Sequence, residues 1–425
     1  MALKILAIIL FLTMYVLMTV FMNRRIWIVL ATALIFIVSG ILPPASILSA
    51  INWNVLLMIG GTMVLVDFFI QSRMPNLIAD WLLDKAKNVM WVIIFMSLFS
   101  GFISAFVDNV ATVLMVAPVG IAVCRKLKIS PIPMILSIAV SSNLQGAATL
   151  VGDTTSIMLG AYAKMDFLAF FWMEGKPGIF FAVELGALAT VPVMMILFRG
   201  FRQTVKAESR TRVEDKFPTI MLILVVLLLI GASFIPGKPE TTNGMICCAI
   251  AAVTAVYEAW KSRGSGSTMH ALKSVDYETL ILLLGLFLVI QGITEAGVIH
   301  DVAGAIASVG GRNMFLLYTI IVWGSVAASA FIDNIPYVAT MLPVIRGITG
   351  ALGVEPYLLY FGLLTGATLG GNLTPIGASA NITAVGLLKK EGHTVSFRDF
   401  FRIGIPYTLT AVLVGYIYLA LVWRP

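Results

Sequence analysis

The sequence predicts an all-α polytopic membrane protein: about ten transmembrane helices plus two re-entrant hairpins, built as an inverted-topology repeat with two discontinuous helices. Three observations carry that fold class. The chain of 425 residues is 60% hydrophobic and 12% charged, with a mean hydropathy of +1.00, about half the charge of an average soluble domain. Many near-continuous apolar runs reach the ~20 residues that cross a bilayer as a helix. Finally, two apolar stretches 225 residues apart, "FVDNVATVLMVAP" (106–118) and "FIDNIPYVATMLP" (331–343), share an Asp-Asn pair and a proline at matching places. A membrane β-barrel would show alternating segments of ~10 residues, which are absent.

The elements follow in order. Residues 5–22 are too long for a signal-peptide core, lack an A-x-A-like site and precede Arg24-Arg25, so they read as a retained first span. Further spans are expected at 26–42, 54–70, 132–163, 178–198, 217–235, 242–260, 277–298, 357–388 and 403–423. The stretches 91–123 and 314–349 read as hairpins with the Asp-Asn pairs near their middles. Segments 74–90 and 299–313 look amphipathic and suit the interface. The loops 199–216 and 261–276, the second containing "RGSGST", read as linkers.

If each hairpin enters and leaves on one side, the basic residues sort. Twenty-one of the 28 fall together: Arg24, Arg25, Arg73, Lys85, Lys87, Arg125, Lys126, Lys128, the six of the 199–216 loop, Lys261, Arg263, Lys273, Lys389, Lys390, Arg398 and Arg402. Lys4, Lys164, Lys176, Lys238, Arg312, Arg346 and Arg424 lie opposite. The crowded side is cytoplasmic, which puts both termini outside and suits the plasma (inner) membrane. The same rule accounts for the net charge of +7 and the pI near 9.3, so no nucleic-acid partner is implied. Cys124, Cys247 and Cys248 form no CxxC pair, and His270, His300 and His393 form no HExxH. No cofactor, disulfide framework or enzyme machinery is indicated.

The 225-residue offset continues downstream, where "TLVGDTTSI" (149–157) lies over "TPIGASANI" (374–382). Upstream, "NWNVLLMIGG" (52–61) lies over "DYETLILLLG" (276–285) at an offset of 224. The chain therefore divides into an N-terminal repeat half (1–198), a cytoplasmic linker (199–216) and a C-terminal half (217–425), oppositely oriented. Inverted repeats are a signature of secondary transporters, with the solute bound at the repeat interface. Segments 132–163 and 357–388 are 32 residues each, or ~48 Å as straight helices against a core of ~30 Å. Their polar, glycine-containing middles predict broken helices, tolerable at membrane depth where they line a buried or wet cavity.

A midplane aspartate costs ~3 kcal/mol or more and marks an ion or proton path. Asp108 and Asp333 can each exchange a proton or help hold a sodium ion with Asn109 and Asn334; as helix caps they would also satisfy first-turn N–H groups. The two asparagines can orient the aspartates, touch solute or form turns. Asp153, Thr154, Thr155 and Ser156 would form one half of a site, and Asn372, Thr374, Ser379 and Asn381 the other. Asp67, Glu258 and Glu295 sit near span ends, where charge is ordinary; Glu184 sits deeper.

At these residues the sequence resembles the arsenite-permease and P-protein branch of the ion transporter superfamily, and its motif wording is closest to the P-protein. The carrying motifs are "SAFVDNVATVLMVAPV" (104–119), "FIDNIPYVATMLPV" (331–344) and "GATLGGNLTPIGASANI" (366–382), followed by "KKEGHTVSFRDFFRIGIP" (389–406). The resemblance implies two re-entrant hairpins and two broken helices meeting at one site, elevator-like movement and commonly a homodimer. Where the family usually has Gly-Asp-Pro-Pro-Asn, this chain has Gly152-Asp153-Thr154-Thr155-Ser156, and "NLTPIG" departs from the wording of dicarboxylate carriers. The expected function is secondary active transport of a small inorganic solute or anion, with arsenite or antimonite efflux as default, coupled to protons or sodium. The alternatives are a sodium/proton antiporter and a passive anion channel, for which duplicated buried carboxylates are a poor lining.

Overall fold

The structure, a computed structural model, describes residues 2–21, 24–204, 211–213, 215–261, 266–310 and 313–424. Residues 205–210 and 214 of the expected 199–216 linker, residues 262–265 of the second linker, and Arg312 lie outside the described residues. The fold is nearly all helical. Among the described residues, eight helices are long and apolar enough to cross a bilayer, by length and composition. The chain is an integral membrane protein.

The repeat is written into the element boundaries. The first hairpin has arms Val89–Ser104 and Asn109–Leu127; the second has Met314–Ser329 and Asn334–Leu352. The first broken helix runs Ile132–Gln145, a 3₁₀ turn Gly146–Ala148, a break, then Thr154–Tyr162. Its mate runs Tyr357–Gly370, Gly371–Leu373, a break, then Ser379–Lys390. From Val89 to the start at Thr154, each boundary recurs 225 residues later. Upstream, Trp53–Gln71 and Tyr277–Glu295 are offset by 224 at their starts.

The two halves exchange helices. Trp53–Gln71 packs on Thr242–Lys261, and Tyr277–Glu295 packs on Arg25–Val38. Glycine permits both approaches. A Cβ at Gly61 would lie 2.7 Å from the Cys247–Cys248 peptide, and one at Gly285 would lie 2.7 Å from Val29 Cγ1. Small residues at such crossings let membrane helices gain van der Waals contact. Ile179–Leu197 pairs with Phe397–Val422, where a Cβ at Gly186 would meet the carbonyl oxygen of its own repeat mate, Ala411, at 2.9 Å. A residue that touches its mate lies close to the axis relating the repeats.

Three elements differ from the sequence reading. The second expected span, 26–42, is the 14-residue helix Arg25–Val38, about 21 Å long. Gly40, at φ +76°, and the Pro43-Pro44 pair end it. The 261–276 linker contains a helix, Ser267–Ser274, tied to Trp53–Gln71 by His270 to Asp67 and Ser267 to Gln71. Residues 172–177 form a two-stranded β-hairpin over Gly175, which takes φ +73°. The amphipathic stretches form the helices Met74–Lys85 and Val298–Gly310.

Candidate functional site

Each hairpin turns over four residues, 105–108 and 330–333, and the aspartate that closes the turn caps the following arm. Asp108 Oδ2 accepts from Val110 N and Ala111 N at 3.0 and 3.1 Å. Asp333 Oδ1 accepts from Ile335 N at 3.1 Å. These bonds satisfy helix N-terminal donors that would otherwise be orphaned.

A threonine then fastens each turn to a helix break. The Thr149 hydroxyl donates to Ala105 O, and Thr374 Oγ1 donates to Ala330 O at 2.5 Å. Glycine makes the contact close enough. A Cβ at Gly152 would stand 2.6 Å from Gly146 O and 2.7 Å from Ser104 O; at Gly377 it would stand 2.7 Å from Gly371 O and 2.6 Å from Ser329 O. Ser156 Oγ donates to Gly146 O at 3.2 Å, while its mate Asn381 donates to Gly371 O at 3.0 Å and Thr374 O at 3.2 Å. These two residues, aligned in sequence as matching partners, each close their own break and do not bond to each other.

The breaks meet through Asn143. Its Oδ1 accepts from Asn109 Nδ2 at 3.0 Å, and its Nδ2 reaches Thr368 O at 2.7 Å and Asn372 Oδ1 at 3.1 Å. Thr368 is the repeat mate of Asn143, so this contact also lies close to the axis. Asn372 in turn donates to Val140 O at 2.9 Å. Asn109 Nδ2 is also 3.5 Å from Asp153 Oδ1, whose Oδ2 accepts from Thr155 Oγ1 at 2.7 Å; Thr155 and Thr368 hydroxyls are 3.1 Å apart. Asn109, Asn143, Asp153, Thr154, Thr155, Thr368 and Asn372 are all buried. Carboxylate, amide and hydroxyl oxygens of this kind suit a hard cation.

The second half is different. Asp333 Oδ2 accepts from Arg25 Nη1 at 2.9 Å and from Ser379 Oγ at 3.2 Å. The pair is largely buried, with side-chain exposures of 22% and 15%. Beside it lies a small cavity of about 40 Å³ lined by Tyr15, Thr19, Arg25, Leu282, Asp333 and Ile376, among others. Asn334 is buried with no partner for its Nδ2.

Apart from Asn334, whose amide donor has no partner, the predicted residues thus fall into three groups. Asn109, Asp153, Thr155 and Asn372 converge at the junction of the breaks, with Asp108 and Thr154 alongside. Asp333 and Ser379 converge on Arg25. Thr374, Ser156 and Asn381 hold the backbone of the breaks. Sequence reasoning missed Arg25, Asn143 and Thr368. Arg25 read as a loop charge marking the cytoplasmic side. Asn143 sits inside the polar run "SSNLQG", but its mate is a threonine, so the repeat alignment gave it no weight.

The sequence profile of the family described as CitMHS, citrate transporter, matches residues 8–366. An uncharacterized transporter of Mycobacterium bovis is 31% identical over 382 residues, covering 87% of this chain and 86% of that one. The P protein of Mus musculus is 24% identical over 457 residues, covering 87% of this chain and 54% of that one. Among solved structures, the YdaH transporter of Alcanivorax borkumensis superposes with a TM-score of 0.63 at 13% identity, over 88% of this chain and 87% of that one. That likeness is one of fold.

Proposed function

The chain belongs to the CitMHS citrate transporter family, and from that premise we propose that it is a secondary active transporter coupling a small anionic solute to protons or sodium. One observation carries the reading. Three carboxylates, Asp108 and Asp333 at the hairpin turns and Asp153 at the first break, stand where two broken helices and two hairpin turns are fastened together, and the described contacts bring one basic side chain, Arg25, to Asp333. A centre so charged needs a cation before it accepts an anion. On this reading coupling follows from charge balance, with the cation held by Asp153, Asn109 and Thr155 beside Asp108. The protein works in the plasma membrane, with the hairpins re-entering from opposite sides and the core moving as an elevator.

The family description favours a carboxylate solute over arsenite or antimonite. The three cysteines, the groups with most affinity for trivalent arsenic, take no part in the constellation. Cys124 adjoins Met134, and Cys247 and Cys248 pack at Gly61.

The test is flux into proteoliposomes over a panel of citrate, succinate, arsenite and chloride, with imposed proton and sodium gradients in turn. Coupled transport accumulates one solute against its gradient. Equilibration alone would leave the channel reading, and exchange of sodium for protons without any solute would leave the antiporter.

A further inference from the structure

The two halves of the site do matching jobs in the backbone, yet their aspartates live in different company. Asp108 is held by the N–H groups of its own helix, Val110 and Ala111. Asp333 is held by three donors from three elements: the Arg25 guanidinium, the Ser379 hydroxyl and the Ile335 N–H at a helix N-terminus. A guanidinium, a hydroxyl and a helix N-terminal amide form a receptor for a carboxylate or other oxyanion. In this structure the chain's own Asp333 fills it.

Two further features adjoin this receptor along the chain and in space. The cavity of about 40 Å³ that touches Arg25 and Asp333 has room for about three water molecules at 10–15 Å³ each. Next to Asp333, Asn334 is 3% exposed and its amide donor has no protein acceptor. Its repeat mate Asn109 spends the same donor on Asn143 and Asp153. A buried donor without a partner is unfavourable, although Asn334 is not among the residues that line the cavity.

We propose that Arg25, Ser379 and the start of the second hairpin's outgoing arm form the anion subsite, in which a solute carboxylate takes the place of Asp333. This inference rests on the transporter reading and names the solute class and its receptor. On displacement, Asp333 joins Asp108 and Asp153 as a third carboxylate facing the coupling cation. The charged group it leaves behind is Arg25. Anion and cation binding would thereby reinforce one another. The repeats are on this account chemically specialised: the first takes the cation, the second the anion.

The test is equilibrium binding of citrate, succinate and sulfate to the purified full chain in detergent, by calorimetry, with no gradient. Failure of coupled flux and failure of this inference are then separate results. Asp333 competes as a tethered ligand at millimolar or higher effective concentration, so Asp333→Asn and Asp333→Ser should each tighten binding of at least one of the anions about tenfold or more. Arg25→Gln should weaken it about tenfold in the wild-type chain and again in the Asp333→Asn background, with Arg25→Lys intermediate. Two Asp333 variants guard against a folding defect in one, and an unchanged gel-filtration profile confirms that each is folded. Binding indifferent to Arg25→Gln, or no anion bound by the folded Asp333 variants at millimolar concentration, would overturn the proposal.

Discussion

Asn143 is the joint between the two broken helices, and a double-mutant cycle on Asn143 and Asn372 tests that role. Asn143→Ala removes three hydrogen bonds: one accepted from Asn109, and two donated to Thr368 O and Asn372 Oδ1. Each is worth about 1 kcal/mol net, so the loss is about 3 kcal/mol. The relief is partial, because Asn109 keeps its approach to Asp153. Asn372→Ala removes the shared bond and the one to Val140 O, about 2 kcal/mol on the same scale. The shared bond is counted twice in that addition. The double variant should therefore be less destabilised than the sum by at least about 0.5 kcal/mol, the low end for directly bonded pairs. Reversible unfolding in mixed micelles with increasing dodecyl sulfate reads all four states. Strict additivity would refute the junction, since residues without a common partner add to within a few tenths of a kcal/mol.

Gly152→Ala and Gly377→Ala should each destabilise the chain by about 1–3 kcal/mol, as the new Cβ would meet carbonyl oxygens at 2.6 Å. Gly324→Ala, with nothing within 4 Å, should be neutral in the same unfolding assay. Asp108→Asn and Asp153→Asn should leave folded protein in the membrane, because each removes a buried charge, but should abolish the dependence of solute flux on the coupling ion. Unchanged sodium and pH dependence in both variants would reduce Asp108 to a helix cap. With the three native cysteines removed, cysteines at 86 and 126 should react with an impermeant thiol reagent from one side of the membrane; labelling from opposite sides would show that the first hairpin crosses.

The repeat was legible because the backbone needs the same side chains twice. An aspartate caps each outgoing arm, a threonine fastens each turn, and a glycine admits each break, so Asp108, Thr149 and Gly152 align with Asp333, Thr374 and Gly377. Residues whose job is done once leave no such trace. Arg25 reaches Asp333 across 308 positions, and a basic residue in a loop is first read as a mark of membrane side. Asn143 has a threonine for a mate and sits in a run where any of several polar residues could have made the junction. Ser156 and Asn381, placed in opposite halves of the expected site, show the limit of the alignment. Their alignment is correct, yet alignment across a two-fold makes residues equivalent without making them neighbours. Only residues near the axis, such as Asn143 with Thr368 and Gly186 with Ala411, meet their own mates.

That distinction bears on how a duplicated fold acquires direction. A repeat with identical halves would offer the same ligand the same site twice, with no basis for binding two unlike ions together. Here the scaffold stays matched while the polar groups diverge at fixed positions: Asp153 stands over Ala378, Thr155 over Ala380 and Ser142 over Ala367. The first half thus gains a carboxylate and two hydroxyls that the second lacks. The second half draws a guanidinium from outside the repeated core, on the helix Arg25–Val38. The site's one described basic group is therefore carried by an element that packs against Tyr277–Glu295, while its partner Asp333 rides on the hairpin. On the elevator reading proposed above, movement of one element past the other would break or remake the Arg25–Asp333 pair. A solute that replaced Asp333 at Arg25, as proposed, would change which element the charge is tied to and would link occupancy of the site to movement of the core.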